Sequence, residues 1–90
     1  MAYRVLYHHE VERDLGLINE KIQKRIKKAI ESRLLVAPEQ YGEPLRKTLK
    51  GYWKMRVGDY RVVFRISGVE IIIFGIIHRK AVYEVIDKRF

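Results

Sequence analysis

The sequence predicts a small α+β fold with the element order β-α-α-β-β-β, in which two helices pack on one face of a small antiparallel sheet. Two observations carry this prediction. Apolar residues recur at every fourth position over residues 18–34, which is typical of an amphipathic helix. Three β-rich segments near the end of the chain are separated by two-residue turns, which favour hairpins. Ninety residues predict one domain, spanning residues 1–90.

The first half of the chain predicts one strand and two helices. Residues 2–7 are rich in β formers and predict the first strand. A short helix is expected over about residues 8–17. Asn19 is a predicted N-cap for a longer helix that ends near Ala37, since Pro38 cannot continue it. One apolar stripe of this helix faces the sheet: Ile18, Ile22, Ile26, Ile30 and Leu34.

The second half of the chain predicts three strands, over residues 52–57, 60–67 and 69–78. Their turns are Gly58-Asp59 and Ser67-Gly68.

Two other segments flank these strands. Residues 38–51 hold both prolines and predict a connection with one helical turn at residues 45–49. The tail after His78 is compatible with a strand or a short helix.

The first hairpin turn fixes which side chains share a face of the sheet. It places Arg56 opposite Arg61 and continues with Lys54 opposite Val63. The predicted core face contains Trp53, Met55, Val57, Tyr60, Val62, Phe64, Ile71 and Ile73. The predicted exposed face contains Lys54, Arg56, Arg61, Val63, Arg65, Glu70, Ile72, Phe74, Ile76 and His78. Glu70 is expected to pair with Arg65, and the apolar members of this face need cover from a partner or from the tail.

Composition restricts the possible functions. The net charge of +8 and the absence of cysteine favour a polyanion-binding protein and exclude thiolate chemistry, disulfides and cysteine-metal sites. No apolar run is long enough to span a bilayer, so we expect a cytoplasmic protein with no membrane partner. Three histidines without clustered carboxylates predict no metal site, and no cofactor is expected.

Basic residues of the helix and of the connection are candidates for RNA contact: Lys21, Lys24, Arg25, Lys28, Arg46, Lys47 and Lys50.

A solvated helix face is the better explanation for any single lysine of the helix, and a membrane-surface helix has a similar pattern. The pair Arg56 and Arg61 also has two interpretations. Like charges directly opposite each other destabilise a sheet, which makes sense if the two arginines clamp a phosphate. Alternatively, the two long side chains splay apart into water. His78, predicted on the same face, is either a general acid or a strand-end histidine bonded to the backbone.

Two stretches, "EPLRKTLKGYWKMRVGDYRVVFRI" and "HRKAVY", resemble the RelE/ParE superfamily of toxins of type II toxin–antitoxin systems, and specifically its RelE-like branch. The resemblance covers most of the chain. It implies a ribosome-dependent, metal-independent mRNA endonuclease that cleaves in the A site by attack of the 2′-hydroxyl and so inhibits translation. The implied partners are a RelB-like antitoxin, the ribosome and mRNA.

The resemblance also implies roles for individual residues. Arg61 matches the family's transition-state arginine, and Arg79 and Tyr83 match the arginine and tyrosine that follow the last long strand. Lys54 and Arg56 match the two basic strand positions. Tyr83 is expected to stack on a base or orient the 2′-hydroxyl, and Arg79 to stabilise the leaving 5′-oxygen.

Two other functions remain open for this sequence. A ParE-like chain would inhibit DNA gyrase by binding it, without nuclease activity. A non-catalytic module would bind nucleic acid only.

Overall fold

A computed structural model describes residues 3–45 and 51–89 as a five-stranded sheet with helices on both faces. The strands are β1 (Arg4–Tyr7), β2 (Glu43–Pro44), β3 (Tyr52–Val57), β4 (Tyr60–Ser67) and β5 (Glu70–His78). The helices are α1 (Val11–Gly16), α2 (Glu20–Ala29), α3 (Pro38–Tyr41) and α4 (Val82–Arg89). The α+β class is confirmed.

The sheet is mixed rather than purely antiparallel. Its strand order is β1-β5-β4-β3-β2, and β1 pairs with β5 in parallel. The remaining neighbours pair antiparallel. A parallel neighbour requires a long crossover, which α1, α2 and the two hairpins supply. The α-helical turn in the connection forms at Pro38–Tyr41. The turn predicted at residues 45–49 lies almost wholly outside the described residues.

The long helix begins as predicted, with the Asn19 side chain accepting a hydrogen bond from the Lys21 backbone N–H at 2.8 Å. The helix type changes at Ile30, where α2 ends and a π turn (Ile30–Leu34) begins. Residues four apart drift around an α-helix because each turn holds 3.6 residues. The π turn is closed by an i→i+5 bond from Leu35 N–H to Ile30 O at 3.1 Å. This wider turn corrects the drift, so that the buried stripe reaches Leu34.

The main core lies between α2, the π turn and one face of the sheet. It contains six of the eight residues predicted for the core face, and the other two, Trp53 and Tyr60, are partly buried and pack against it. A second cluster lies under α4 on the opposite face: Leu45, Val63, Ile77, Val82 and Ile86. Phe74 packs against this second cluster, which confirms that the tail covers part of the predicted exposed face. No helix in the described part of the chain is long and apolar enough to cross a membrane.

The second hairpin differs from its prediction by one residue. Its turn is Gly68-Val69, with Ser67 opposite Glu70, and Gly68 adopts a φ of 60°. Arg65 therefore lies opposite Ile72 rather than Glu70. The predicted Arg65–Glu70 pair is wrong, because Glu70 instead accepts a hydrogen bond from Arg4 on β1 at 3.0 Å.

A β-bulge in β5 changes the faces near the end of the sheet. Phe64 lies opposite Ile73 while Val63 lies opposite Gly75, so Phe74 is the extra residue. Beyond the bulge each side chain of β5 moves to the other face. Ile76, predicted to be exposed, consequently joins the main core, and Ile77 joins the cluster under α4.

A buried ion pair completes the hydrogen bonding of β5 beyond the end of β1. Arg89 on α4 donates to both carboxylate oxygens of Asp14 on α1, at 2.6 and 2.9 Å. Arg89 also donates to Phe74 O at 2.8 Å, and the Ile76 N–H donates to Asp14 Oδ2 at 3.0 Å. The side chains of Asp14 and Arg89 thus bond backbone groups of β5 that a neighbouring strand would otherwise pair with. Gly75 leaves room for this ion pair, since a Cβ there would lie 2.9 Å from Arg89 Nη1.

His8, next to this ion pair, gives the fold a pH dependence. Burial lowers the pKa of His8, as do the positive charges of His9 and Arg89, and these effects outweigh the opposite influence of Glu10 and Asp14. The folded protein therefore binds a proton at His8 less readily than the unfolded chain. The free energy of unfolding should fall as pH drops through the ordinary histidine value of 6.5.

Urea unfolding at about pH 7.5 and about pH 5.5 tests this effect on the wild type and on His8→Asn. His8 Nδ1 accepts a hydrogen bond from the Glu10 N–H at 3.1 Å, and an asparagine oxygen can replace that acceptor. The wild type should lose more stability between the two pH values than the variant does. Equal losses in the two proteins would contradict the assignment to His8.

Candidate active site

The turn between β3 and β4 positions the two central arginines. Gly58 adopts a φ of 59°, which glycine tolerates without strain, and the two-residue turn sets Val57 opposite Tyr60. Arg56 and Arg61 are therefore directly opposite each other, as predicted. Their side chains extend from the face of the sheet that α2 does not cover.

The Arg61 guanidinium is held by its own turn. Its Nη1 donates to Gly58 O at 3.1 Å and to Tyr60 O at 3.0 Å. Arg61 is half-buried, whereas Arg56 is exposed. Since backbone carbonyls fix one end of the guanidinium, Arg61 presents its remaining N–H groups in a defined direction, and little conformational entropy remains to be lost when it binds an anion.

A cavity of about 190 Å³ brings three predicted catalytic side chains together. We call it the basic pocket, and its lining is Tyr41, Glu43, Lys54, Arg56 and Arg61. β2 supplies its acidic member, because Glu43 lies opposite Lys54 in the β2–β3 ladder. Three cations beside one carboxylate form a site that can bind a phosphate and also accept a proton.

Glu43 and Tyr41 are site residues that sequence reasoning missed. The two-residue strand β2 is too short to show any periodicity. The available signal was Gly42, whose position is so close to the core that a Cβ would lie 2.6 Å from Phe64 Cζ. This close approach docks the chain on the sheet and brings the residues on either side of Gly42 to the basic pocket.

Arg79 lies at the same end of the sheet. Its backbone N–H donates to Asp59 O at 2.8 Å, and its Nε is 3.8 Å from Asp59 Oδ1. Both side chains are largely exposed, so this ion pair contributes little stability, and Arg79 can turn toward a bound anion. The loop after β5 is thereby attached to the turn that carries the two arginines.

Tyr83 lies in the first turn of α4 and is 38% exposed. α4 packs on Val63 and Ile77, which lie opposite Lys54 and Arg61 in the sheet. Tyr83 is therefore on the same side of the sheet as the basic pocket. This arrangement is compatible with the role expected for Tyr83.

The expected position of His78 is wrong. Because of the bulge, His78 lies opposite Tyr60, with the two rings edge to face and their centroids 5.8 Å apart. Its Nδ1 accepts a hydrogen bond from the Lys80 N–H at 3.3 Å. His78 is thus directed to the α2 side of the sheet, away from Arg61, and its geometry fits the strand-end interpretation better than that of a general acid.

The candidate RNA contacts divide into two groups. Lys21, Lys24, Arg25 and Lys28 are on α2, where their side chains reach solvent. Arg46, Lys47 and Lys50 lie outside the described residues. Within residues 3–45 and 51–89, no three His, Asp or Glu side chains converge as metal ligands would.

Comparison with known proteins identifies the family. The family model described as "ParE toxin of type II toxin-antitoxin system, parDE" matches residues 5–83. The chain belongs to this toxin family. Two of its curated relatives carry RelE names. Toxin RelE of Mycobacterium tuberculosis is 38% identical over 65 residues, covering 72% of this chain and 67% of the relative. Toxin RelE3 of Methanocaldococcus jannaschii is 32% identical, covering 90% and 96%. The chain is therefore a RelE-like type II toxin.

Solved structures agree with this family assignment. The toxin–antitoxin complex RelBE2 of M. tuberculosis contains a chain that matches with a TM-score of 0.77 and 28% identity, over 88% of this toxin and 100% of that chain. A mutant of the E. coli toxin RelE, solved in the free state, matches with a TM-score of 0.77 at 20% identity, over 100% and 99%. The second match supports the fold alone.

Proposed function

We propose that this toxin is a ribosome-dependent endoribonuclease that cleaves mRNA in the A site and so inhibits translation in the cytoplasm. The observation that carries the proposal is the basic pocket, in which Lys54, Arg56 and Arg61 line one cavity together with Glu43. Two curated relatives are named as RelE toxins, which favours the same activity.

The chemistry follows from the groups present. The 2′-oxygen of a ribose attacks the adjacent phosphorus, the bond from phosphorus to the 5′-oxygen breaks, and a 2′,3′-cyclic phosphate forms. Arg56 and Arg61 neutralise the charge that grows on the equatorial oxygens. Arg79 stabilises the leaving 5′-oxygen, which takes a proton from water. Tyr83 stacks on a base or orients the 2′-hydroxyl.

Two groups in the pocket are candidates for accepting the 2′-hydroxyl proton. Lys54 can act only in its neutral form, because an ammonium group has no free electron pair to accept a proton. Glu43 is an acceptor whenever it is ionised, and it lies opposite Lys54 in the ladder. We assign the base to Glu43, with Lys54 orienting the phosphate.

Replacing Glu43 with glutamine should lower the cleavage rate about 100-fold, in keeping with the usual contribution of a general base. The pH–rate profile of single-turnover cleavage tests the assignment, because the variant should lose the acidic limb that the wild type shows. Lys54→Met is the matched comparison within the pocket. If Glu43→Gln cleaves at the wild-type rate, Lys54 or solvent is the base.

The decisive experiment translates a defined message in a bacterial cell-free extract and maps RNA 5′ ends by primer extension. Purified toxin is added with and without ribosomes, and Arg61→Ala serves as the control for contaminating ribonuclease. We expect cuts within codons that require both ribosomes and Arg61. Cuts that persist in the variant, or no cuts at all, would refute the proposal.

DNA gyrase inhibition is the second candidate, since the matching family model is described by ParE toxins. A supercoiling assay with purified gyrase separates the two functions. Inhibition of supercoiling without message cleavage would identify DNA gyrase as the target of this toxin. A toxin with neither activity would be a nucleic-acid-binding module.

The proposed partner is a RelB-like antitoxin. Two structural neighbours are toxins solved with an antitoxin, from M. tuberculosis and from Methanococcus jannaschii, each 28% identical to this chain. The high positive charge of this toxin favours an antitoxin with an acidic binding segment.

A further inference from the structure

A second cavity, of about 430 Å³, lies between the long helix and the outer edge of β3. We call it the helix groove. Its lining includes Arg25, Lys28, Arg33, Arg56 and Gly58. The helix supplies one wall through α2 and the π turn, and β3 with its turn supplies the other.

Three cations of this groove form one stripe of the helix. Arg25, Lys28 and Arg33 follow a helical spacing, and all three are exposed. Arg25 crosses to the opposite wall, since its Nη1 would lie 3.5 Å from a Cβ placed on Gly58. Within the described residues none of the three forms an ion pair, and no carboxylate lines the groove.

The helix groove continues into the basic pocket. Arg56 lines both cavities. The Arg33 guanidinium lies over the ring of Tyr41, 5.9 Å from its centroid, and Tyr41 also lines the basic pocket. In the part of the chain that the structure describes, β2 pairs only with Trp53 and Lys54. The outer edge of β3 beyond Lys54 therefore has no strand neighbour there, and the passage between the cavities follows this edge.

We propose that the helix groove binds the backbone phosphates of RNA nucleotides that flank the nucleotide held in the basic pocket. This inference rests on the proposed function and extends it to a path for the message. The planar guanidinium group of an arginine can donate hydrogen bonds to two oxygens of one phosphate. Tyr41 offers a ring on which a base can stack. A protein segment is a poorer fit, because the apolar residues of the lining, Ala29 and Val57, are only 7% and 4% exposed and offer no anchor.

The test compares the cations of the groove with cations elsewhere on the surface. The groove variant is Arg25→Gln/Lys28→Gln/Arg33→Gln. The outer variant, Arg13→Gln/Lys27→Gln/Lys88→Gln, removes the same charge from exposed positions that line neither the groove nor the basic pocket. The probe is a single-stranded RNA of about 12 nucleotides, fully 2′-O-methylated so that it cannot be cleaved. Fluorescence anisotropy gives its Kd over a series of salt concentrations, and circular dichroism verifies that each variant folds.

The groove variant should bind the probe more weakly, and its plot of log K against log salt should be shallower by about 2, as expected for three lost phosphate contacts on a single strand. The outer variant should keep most of the wild-type slope. Equal losses in both variants would mean general electrostatic attraction and would overturn the proposal, as would no loss in the groove variant.

A second arm distinguishes the sources of the phosphate. Sedimentation of each variant with ribosomes that carry no message measures contact with ribosomal RNA. If the groove variant loses ribosome binding but keeps its affinity for the probe, the groove contacts ribosomal RNA and the proposed message path is wrong. Because the probe is not cleaved, this result is independent of cleavage. A wild type that cuts nothing while the groove variant still loses the probe would refute the proposed function alone.

Discussion

Replacing Arg61 with alanine should lower message cleavage about 100- to 1000-fold, the usual cost of removing one preorganised group that stabilises transition-state charge. The orientation of Arg61 in the basic pocket is defined, because Gly58 O and Tyr60 O hold its Nη1. Arg61 therefore reaches the transition state without reorganising. Single-turnover cleavage on programmed ribosomes measures the rate, and sedimentation with ribosomes should show that binding is largely retained.

Arg65→Ala is the matched control for this variant. Arg65 is on the same strand and the same face, is exposed, and lies over the Tyr52 ring at 5.9 Å. It does not line the basic pocket, so its loss should change the cleavage rate less than about threefold, within the ordinary range for surface substitutions. Similar losses in both variants would mean that total charge, rather than the Arg61 position, governs the activity.

Arg61→Lys separates charge from geometry. Lysine keeps the positive charge, but it lacks the planar fork that can bind the turn carbonyls and a phosphate at once. We expect this variant to cleave nearly as slowly as Arg61→Ala. Recovery of the wild-type rate would show that a point charge is sufficient.

The sequence predicted well those features that are set by local geometry. A two-residue turn determines the register of its hairpin, so the pairing of Arg56 with Arg61 followed from Gly58-Asp59 alone. The N-cap at Asn19 and the stripe that ends at Leu34 were equally local. These features placed three of the predicted catalytic side chains in one pocket.

The predictions were wrong where contacts between distant segments determine the backbone conformation. The bulge at Phe74 placed His78 on the other face of the sheet. Backbone groups at this bulge form hydrogen bonds with Asp14 and Arg89, which are 75 residues apart in the sequence. The hydrophobic periodicity of a sequence gives no indication of such a long-range contact. The carboxylate of the basic pocket was missed for a related reason, since β2 exists only because the chain docks against β3.

The Asp14–Arg89 pair leads to the largest expected change in stability. Replacing Asp14 with alanine should lower the free energy of unfolding by about 3–5 kcal/mol, because it leaves a buried guanidinium without its counter-charge. The side chains of Asp14 and Arg89 are only 9% and 11% exposed. The Ile76 N–H would also lose its acceptor, so its amide hydrogen should exchange faster.

Urea unfolding measures this change, with Glu84→Ala as the control on α4. Glu84 forms an exposed pair with Lys88 at 3.9 Å, which should contribute less than about 0.5 kcal/mol. A cost below about 1 kcal/mol for Asp14→Ala would mean that Arg89 reaches solvent and that the pair behaves like a surface one. The double variant Asp14→Leu/Arg89→Met should recover part of the loss, because no charge then remains buried. Since α4 carries Tyr83, we expect the destabilised single variant also to cleave more slowly, and the double variant to regain activity together with stability.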